Sequence, residues 1–392
     1  MLKSLAMSKY RNLLQVLILL IFTVMAFWFG YAFDSLLESP AELGLVQEAY
    51  RLLDAHFIET LPENLILQRG MVKGMLETLN DPYTRLVEPS QNSIQSDTLA
   101  GEYGGIGALI TSDGEGSYFI NPFKDGPASA AGIVEGAQLL AIDGVPLGEG
   151  ITRDTIVSML RGLEGTEVRL RIRQPNGRQA IEVVIERVNI PLPSVSEYLL
   201  PADERIGVVA INVFSEKTSS EVENAVASLL DRGAQGLILD LRNNGGGLLE
   251  SAVEVSRLFL RTGIIVSEER RGILQEAFEV EKPGRYTEIP LAVVVDSTSA
   301  SAAEVVAAAL QGNDRAPLIG DRTFGKGSVQ VVVELSDGSS MRITSSRWLT
   351  PEGEIIDEQG LAPDLWLGVE DAHTERALLQ AADWLAAELE NG

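Results

Sequence analysis

Three serines fall within five residues of "DSTSASAAEVVAAALQ" (296–311), directly after the β-branched run "LAVVV". A strand that ends in Ser297, Ser299 and Ser301 and opens into a helix sets hydroxyls beside unpaired backbone N–H groups. Such a hydroxyl is either a nucleophile whose developing oxyanion meets those donors or an ordinary helix cap. Two other stretches bear on the choice. The run "RNNGGG" (242–247) permits close backbone approach and positive φ, and "RTFGKGSVQ" (322–330) sets Lys326 between two glycines. Alone, a Gly-Lys-Gly segment reads as a solvated turn. The chain has no cysteine, which excludes thiolate catalysis, disulfides and Cys-based metal sites. Its two histidines, His56 and His373, sit in helical patterns and read as structural or surface residues. No metal or cofactor is therefore expected, and a base for any of these serines would not be histidine.

From about residue 204 the pattern alternates strand and helix, which predicts an α/β layer with a mostly parallel sheet. "RIGVVAINVF", "QGLILDL" and "LAVVVDS" read as strands; "TSSEVENAVASLLDRG", "LLESAVEVSRLFL" and "SAAEVVAAALQG" read as helices. "SVQVVVEL" and "SMRITSSRWLT" form a predicted hairpin turning at Asp337-Gly338. The glycine run and the serine cluster both fall at carboxyl ends of predicted parallel strands, where ligands of open α/β sheets bind. Between about 97 and 190 short strands and turns dominate, with a predicted helix at "TRDTIVSMLRG" and a hairpin turning at Pro175-Asn176-Gly177. Residues 41–95 read as short helices, "ELGLVQEAYRLLDAHF" and "LILQRGMVKGMLETL".

At 392 residues several domains are expected. The formal charge of −25 repels phosphate backbones, so nucleic acid is excluded as a partner. Leu13–Phe33 are 21 uncharged positions, enough to span a bilayer as a helix. Lys3, Lys9 and Arg11 precede them and Asp34 and Glu38 follow, predicting a cytoplasmic N-terminus and an exported remainder. An uncleaved anchor in a bacterial-type inner membrane is preferred to a signal peptide cleaved near "GYA" (30–32), which would leave a secreted protein.

The segment 97–190 resembles a PDZ domain through "YGGIG" (Tyr103, Gly104, Gly105, Ile106, Gly107) and "GPASAAGIVEGAQLLAIDG", with Ala137 standing where that family usually has an acidic residue. The resemblance implies backbone amides of 103–107 cradling a peptide carboxylate, with the tail added as a strand to a sheet edge. "SASAAE", "LRNNGGG" and "TFGKGSVQ", in this order after such a segment, resemble the C-terminal processing peptidases, or tail-specific proteases. The similarity runs from about residue 45 to 366 and includes "RGMVKGMLETLNDPYT" and "LTPEGEIIDEQGLAPD". Carried over by position, it implies Ser301 as nucleophile, Lys326 as base, Gln330 as the residue orienting that lysine, and backbone N–H groups of Gly247 and Ala302 as oxyanion donors.

The implied architecture is multidomain α+β. A stub and membrane segment occupy 1–40, a helical region 41–95, a PDZ domain 96–190, and a layered α/β protease core of crotonase/ClpP-like type 191–392. The chemistry is self-consistent: a lysine activates serine only when neutral, burial favours that form, and a glutamine orients the amine without holding its proton. Ser297 and Ser299 read as turn and packing residues, and Glu304 as a first-turn acid favoured by the helix dipole. The implied activity is an exported serine endopeptidase acting on protein C-terminal tails, with room for a homo-oligomer or an adaptor protein. The alternatives are a catalytically silent PDZ scaffold that delivers tails to another protease, and a crotonase-like acyl-CoA enzyme, against which the membrane span, the peptide groove and the Ser–Lys pair argue.

Overall fold

A computed structural model describes residues 44–391 except 115 and 149. The expected membrane segment, Leu13–Phe33, lies outside the described residues, among which no helix is long and apolar enough to cross a membrane. The chain divides into two compact units at Gly70. In the described part of the first, helix Gly44–His56 buries none of its residues. The second unit holds everything else discussed below.

Strands Ala108–Ser112, Tyr118–Pro122, Ala137–Ile142, Glu167–Arg173 and Ile181–Glu186 form an antiparallel sheet with Ala108–Ser112 at one edge. In "EVRLRIR" every second residue is buried: Val168, Leu170 and Ile172 face inward while the intervening charges face water. That two-residue period is what a half-solvated sheet requires. Helix Arg153–Leu160, capped by Thr152 Oγ1 accepting from Thr155 N at 3.2 Å, closes the core with Ile156 and Leu160.

A mostly parallel sheet runs Val195–Leu200, Asp203–Ile211, Gly236–Asp240, Leu291–Val295, Leu318–Gly320 and Leu365–Trp366, with the first pair antiparallel and the others parallel. Leu291–Val295 is buried at every position because both faces are covered. Leu291, Val293 and Val295 pack with helices Thr218–Asp231, Leu249–Phe259 and Ala302–Gly312. Ala292 and Val294 pack on the opposite side with Ala377, Leu378, Ala381 and Leu385 of helix Glu375–Asn391.

The expected hairpin is present, with Glu334 opposite Ser340, but it lies outside the parallel sheet. It forms a separate antiparallel sheet with Ile264–Arg270, Ile273–Glu279 and Arg85–Val87. Arg85–Val87 falls inside the stretch expected to be only helical. A three-residue strand has no readable period, and its partner lies some 250 positions away.

Helix Pro89–Ala100 joins the two regions. Asp97 pairs with Arg161 at 2.9 Å just beyond helix Arg153–Leu160, while Asn92 accepts from Ser340 Oγ at 2.8 Å and Gln95 from Arg342. Leu170→Ala should cost about 2–5 kcal/mol of local stability. Hydrogen exchange on the intact chain should accelerate in Glu167–Arg173 and stay unchanged in Leu291–Val295.

Candidate active site

Strand Leu291–Val295 ends at Asp296, whose fully buried carboxylate shapes the turn that follows. Its Oδ1 accepts from Thr298 N at 2.9 Å, Thr298 Oγ1 at 2.7 Å and Ser299 N at 3.1 Å. Ser299 is buried, donating to Leu241 O at 2.8 Å and accepting from Asp296 N at 3.0 Å, so it fastens two neighbouring strand ends together. Ser301 then takes φ 57° and ψ −118°, a backbone state that a residue with a side chain rarely holds. Strain of this kind costs about 1–3 kcal/mol and persists only where the surroundings over-determine it.

The surroundings here are the glycine loop and Glu304. Ala300 N donates to Asn244 O at 2.9 Å. A Cβ on Gly246 would lie 2.7 Å from Ser301 Cβ and 3.0 Å from Ala302 N, so only glycine fits. Phe214 N donates to Gly246 O at 3.0 Å and Leu248 N to Phe214 O at 2.8 Å, which turns the Gly247 N–H away from Phe214. The N–H groups of Gly247 and Ala302 make no hydrogen bond among the described residues. Ala302 is the first residue of its helix, where an N–H has no intrahelical acceptor.

Glu304, fully buried, binds the serine and lysine segments to each other. Oε2 accepts from Ser301 N at 2.8 Å and Lys326 N at 2.8 Å; Oε1 accepts from Thr323 Oγ1 at 2.6 Å and Gly325 N at 2.7 Å. Burial pushes its carboxyl above the ordinary range, against the pull of these four donors. The sequence reading gave Glu304 only a dipole role. The available signal was a lone acid in an otherwise apolar helix start.

Lys326 and Gln330 line a 450 Å³ cavity with Tyr83, Arg85, Gly245, Ser297, Ala300 and Arg342. Lys326 Nζ lies 5.3 Å from the Tyr83 ring centroid and makes no ion pair among the described residues. Burial holds its amine below the ordinary lysine value, the Arg342 and Arg85 charges push it further down, and Glu304 opposes them. Gln330 donates to Ser328 Oγ at 2.9 Å. Among the described residues no hydrogen bond joins Lys326 Nζ to Ser301 Oγ or to Gln330. The arrangement thus supplies a hydroxyl at a helix start and, among the described residues, two unspent N–H donors and an amine with no ion-pair partner. These are the parts of nucleophilic acyl transfer.

In the PDZ-like region Tyr103, Gly104 and Gly105 lie in strand Glu102–Gly105, paired with Val188–Pro191, so only Ile106 and Gly107 form the turn. Gly104 sits where a Cβ would fall 2.0 Å from Gly162 O, and Arg161 stacks 4.1 Å above the Tyr103 ring. The N–H groups of Ile106 and Gly107 make no hydrogen bond among the described residues, while their carbonyls accept from Ala128 N and Phe123 N, both at 2.8 Å. Arg153 Nε donates to Ile110 O at 3.0 Å, on the edge strand.

The models of three families match: peptidase family S41 over 205–367, the PDZ domain over 123–174, and the activating protease CtpB N-terminal domain over 33–89. The carboxy-terminal processing protease CtpA of Bacillus subtilis is 36% identical over 322 residues, covering 82% of this chain and 68% of that protein. The chain belongs to the C-terminal processing peptidases. Two further relatives agree. A carboxyl-terminal-processing protease of Picosynechococcus is 37% identical over 297 residues, covering 75% and 71% of the two chains. The carboxy-terminal processing protease CtpB of B. subtilis is 32% identical over 332 residues, covering 84% and 68%. It is a serine-type peptidase with a PDZ domain.

Two predictions follow from the site of this peptidase. Glu304→Gln replaces an all-acceptor group with one that sets an NH₂ against two of its four donors, and kcat should fall by about 10–100-fold. Gly246→Ala should reduce kcat at least as far, with circular dichroism unchanged, because the added carbon displaces the Ser301 backbone.

Proposed function

We propose that this chain is a membrane-anchored, exported serine endopeptidase that recognises protein C-terminal tails and cleaves upstream of them. Ser301 Oγ attacks the scissile carbonyl while the neutral Lys326 amine takes its proton. The N–H groups of Ala302 and Gly247 receive the oxyanion, and the resulting ammonium protonates the leaving amine. Water then hydrolyses the acyl-enzyme with the same amine as base. The observation that carries the reading is Glu304, one buried carboxylate bonded to both the Ser301 and the Lys326 backbone. The unpaired N–H groups of Ile106 and Gly107 suit a tail carboxylate, and the edge strand Ala108–Ser112 suits strand addition.

Gln330 is engaged with Ser328 rather than with Lys326. We therefore read the arrangement as a resting one, which tail binding aligns through helix Pro89–Ala100. That helix touches both the groove side, at Arg161, and the cavity side, at Arg342. Anchoring rests on the uncharged stretch 13–33 and its flanking charges.

Ser301→Ala should abolish turnover of a fluorogenic tail peptide while leaving its binding by calorimetry intact. Retained turnover would refute the nucleophile; lost binding would refute the tail-recognition reading. The rate should climb as pH rises through a single ionisation lying below the ~10.4 of free lysine, because protonation disables the base. Lys326→Ala should give a flat profile near background.

A further inference from the structure

Among the described residues, Asp296 has one partner outside the candidate catalytic loops. His373 Nδ1 lies 2.7 Å from Asp296 Oδ2, and Nε2 lies 3.4 Å from Ser297 Oγ, which faces the cavity shared with Lys326. The other oxygen of Asp296 is occupied by Thr298 and Ser299, so among the described residues His373 supplies the one short hydrogen bond to Oδ2. The remaining contact to Oδ2, from Asn243 N, is 3.3 Å long. With the carboxylate as acceptor, Nδ1 must carry hydrogen, which leaves Nε2 able to accept from Ser297.

The chain around His373 is fastened to the glycine loop as well. Arg242 Nη1 donates to the carbonyl of Ala372 at 3.3 Å and is also bonded to that of Thr374, while its other nitrogens form a bidentate pair with Asp240 at 2.9 and 2.7 Å. Residues 372–374 therefore grip both loops that meet at Ser301. We propose that His373 is a positioning residue for the nucleophile, acting through Asp296 on the turn that forces Ser301 into its strained conformation. Asp296 lies five residues before Ser301, and the turn between them is fixed by the bonds to Thr298 and Ser299. Without His373, whose side chain is 32% exposed, Asp296 Oδ2 keeps one long contact among the described residues and meets solvent in place of a fixed N–H. The turn is then no longer held on that side, and a shift there carries Ser301 with it.

The inference rests on Ser301 as nucleophile, and the experiment separates the two. On the full chain, kcat and KM for a tail peptide are measured for wild type, His373→Ala, His373→Asn, His373→Gln and Ser301→Ala. Asparagine sets an N–H near the position of Nδ1, whereas glutamine reaches the position of Nε2. His373→Ala should lower kcat about tenfold or more with KM within about twofold, and His373→Asn should recover most of the loss while His373→Gln does not. Labelling of Ser301 by a fluorophosphonate should slow in the same order. Should His373→Ala misfold by thermal melt, the Asn and Gln pair still decides. Equal kcat in all three variants and wild type, equal loss in Asn and Gln, or a change confined to KM would overturn the proposal. Turnover by Ser301→Ala would instead overturn the nucleophile assignment.

Discussion

A single carboxylate, that of Glu304, organises the catalytic region. Taking a carboxylate out of water costs several kcal/mol unless its lone pairs are filled, and here each oxygen receives two donors. Three of the four are backbone N–H groups on two separate segments. A charge satisfied in this way fixes chain positions rather than side-chain positions, which is what the proposed nucleophile and base require. Replacing it by an apolar group would leave three backbone N–H groups without their acceptor in one step.

The layered sheet explains why these segments meet at all. Parallel strands buried on both faces end at a common edge, and the glycine loop and the serine turn leave from adjacent strands, Gly236–Asp240 and Leu291–Val295. The lysine segment arrives from Leu318–Gly320, the next strand over. The antiparallel hairpin then roofs the cavity and brings Gln330 and Arg342 to it. Because that hairpin is also bonded to helix Pro89–Ala100, the roof is mechanically continuous with the PDZ region.

Much of this was legible in the sequence. Strand and helix alternation gave the α/β layer, the hairpin expected around Pro175-Asn176-Gly177 is present as Glu167–Arg173 paired with Ile181–Glu186, and the β-branched run "LAVVV" is the buried strand Leu291–Val295. Ser301, Lys326 and Gly247 stand out because their residue types and neighbours are unusual. Contacts made across long sequence separations were not legible. Arg85–Val87 is too short to show a period, and Tyr83 and Arg342 approach Lys326 only after the hairpin and that strand have paired. His373 reads as a bland helical histidine because its partner, Asp296, is 77 positions away. Gly246, one residue before the expected oxyanion donor, is distinguished only by its distance from Ser301.

The bond from Arg153 to Ile110 O has a consequence of its own. The exposed rim of a β-sheet invites any extended chain to pair with it, a hazard for any protein that meets unfolded polypeptide. Here one rim acceptor is already satisfied from within. A visiting polypeptide that pairs at this position exchanges one hydrogen bond for another and gains little from the exchange. On the tail-recognition reading proposed above, discrimination is thereby shifted toward the free carboxyl terminus, and an internal stretch of chain, lacking that group, has little reason to stay.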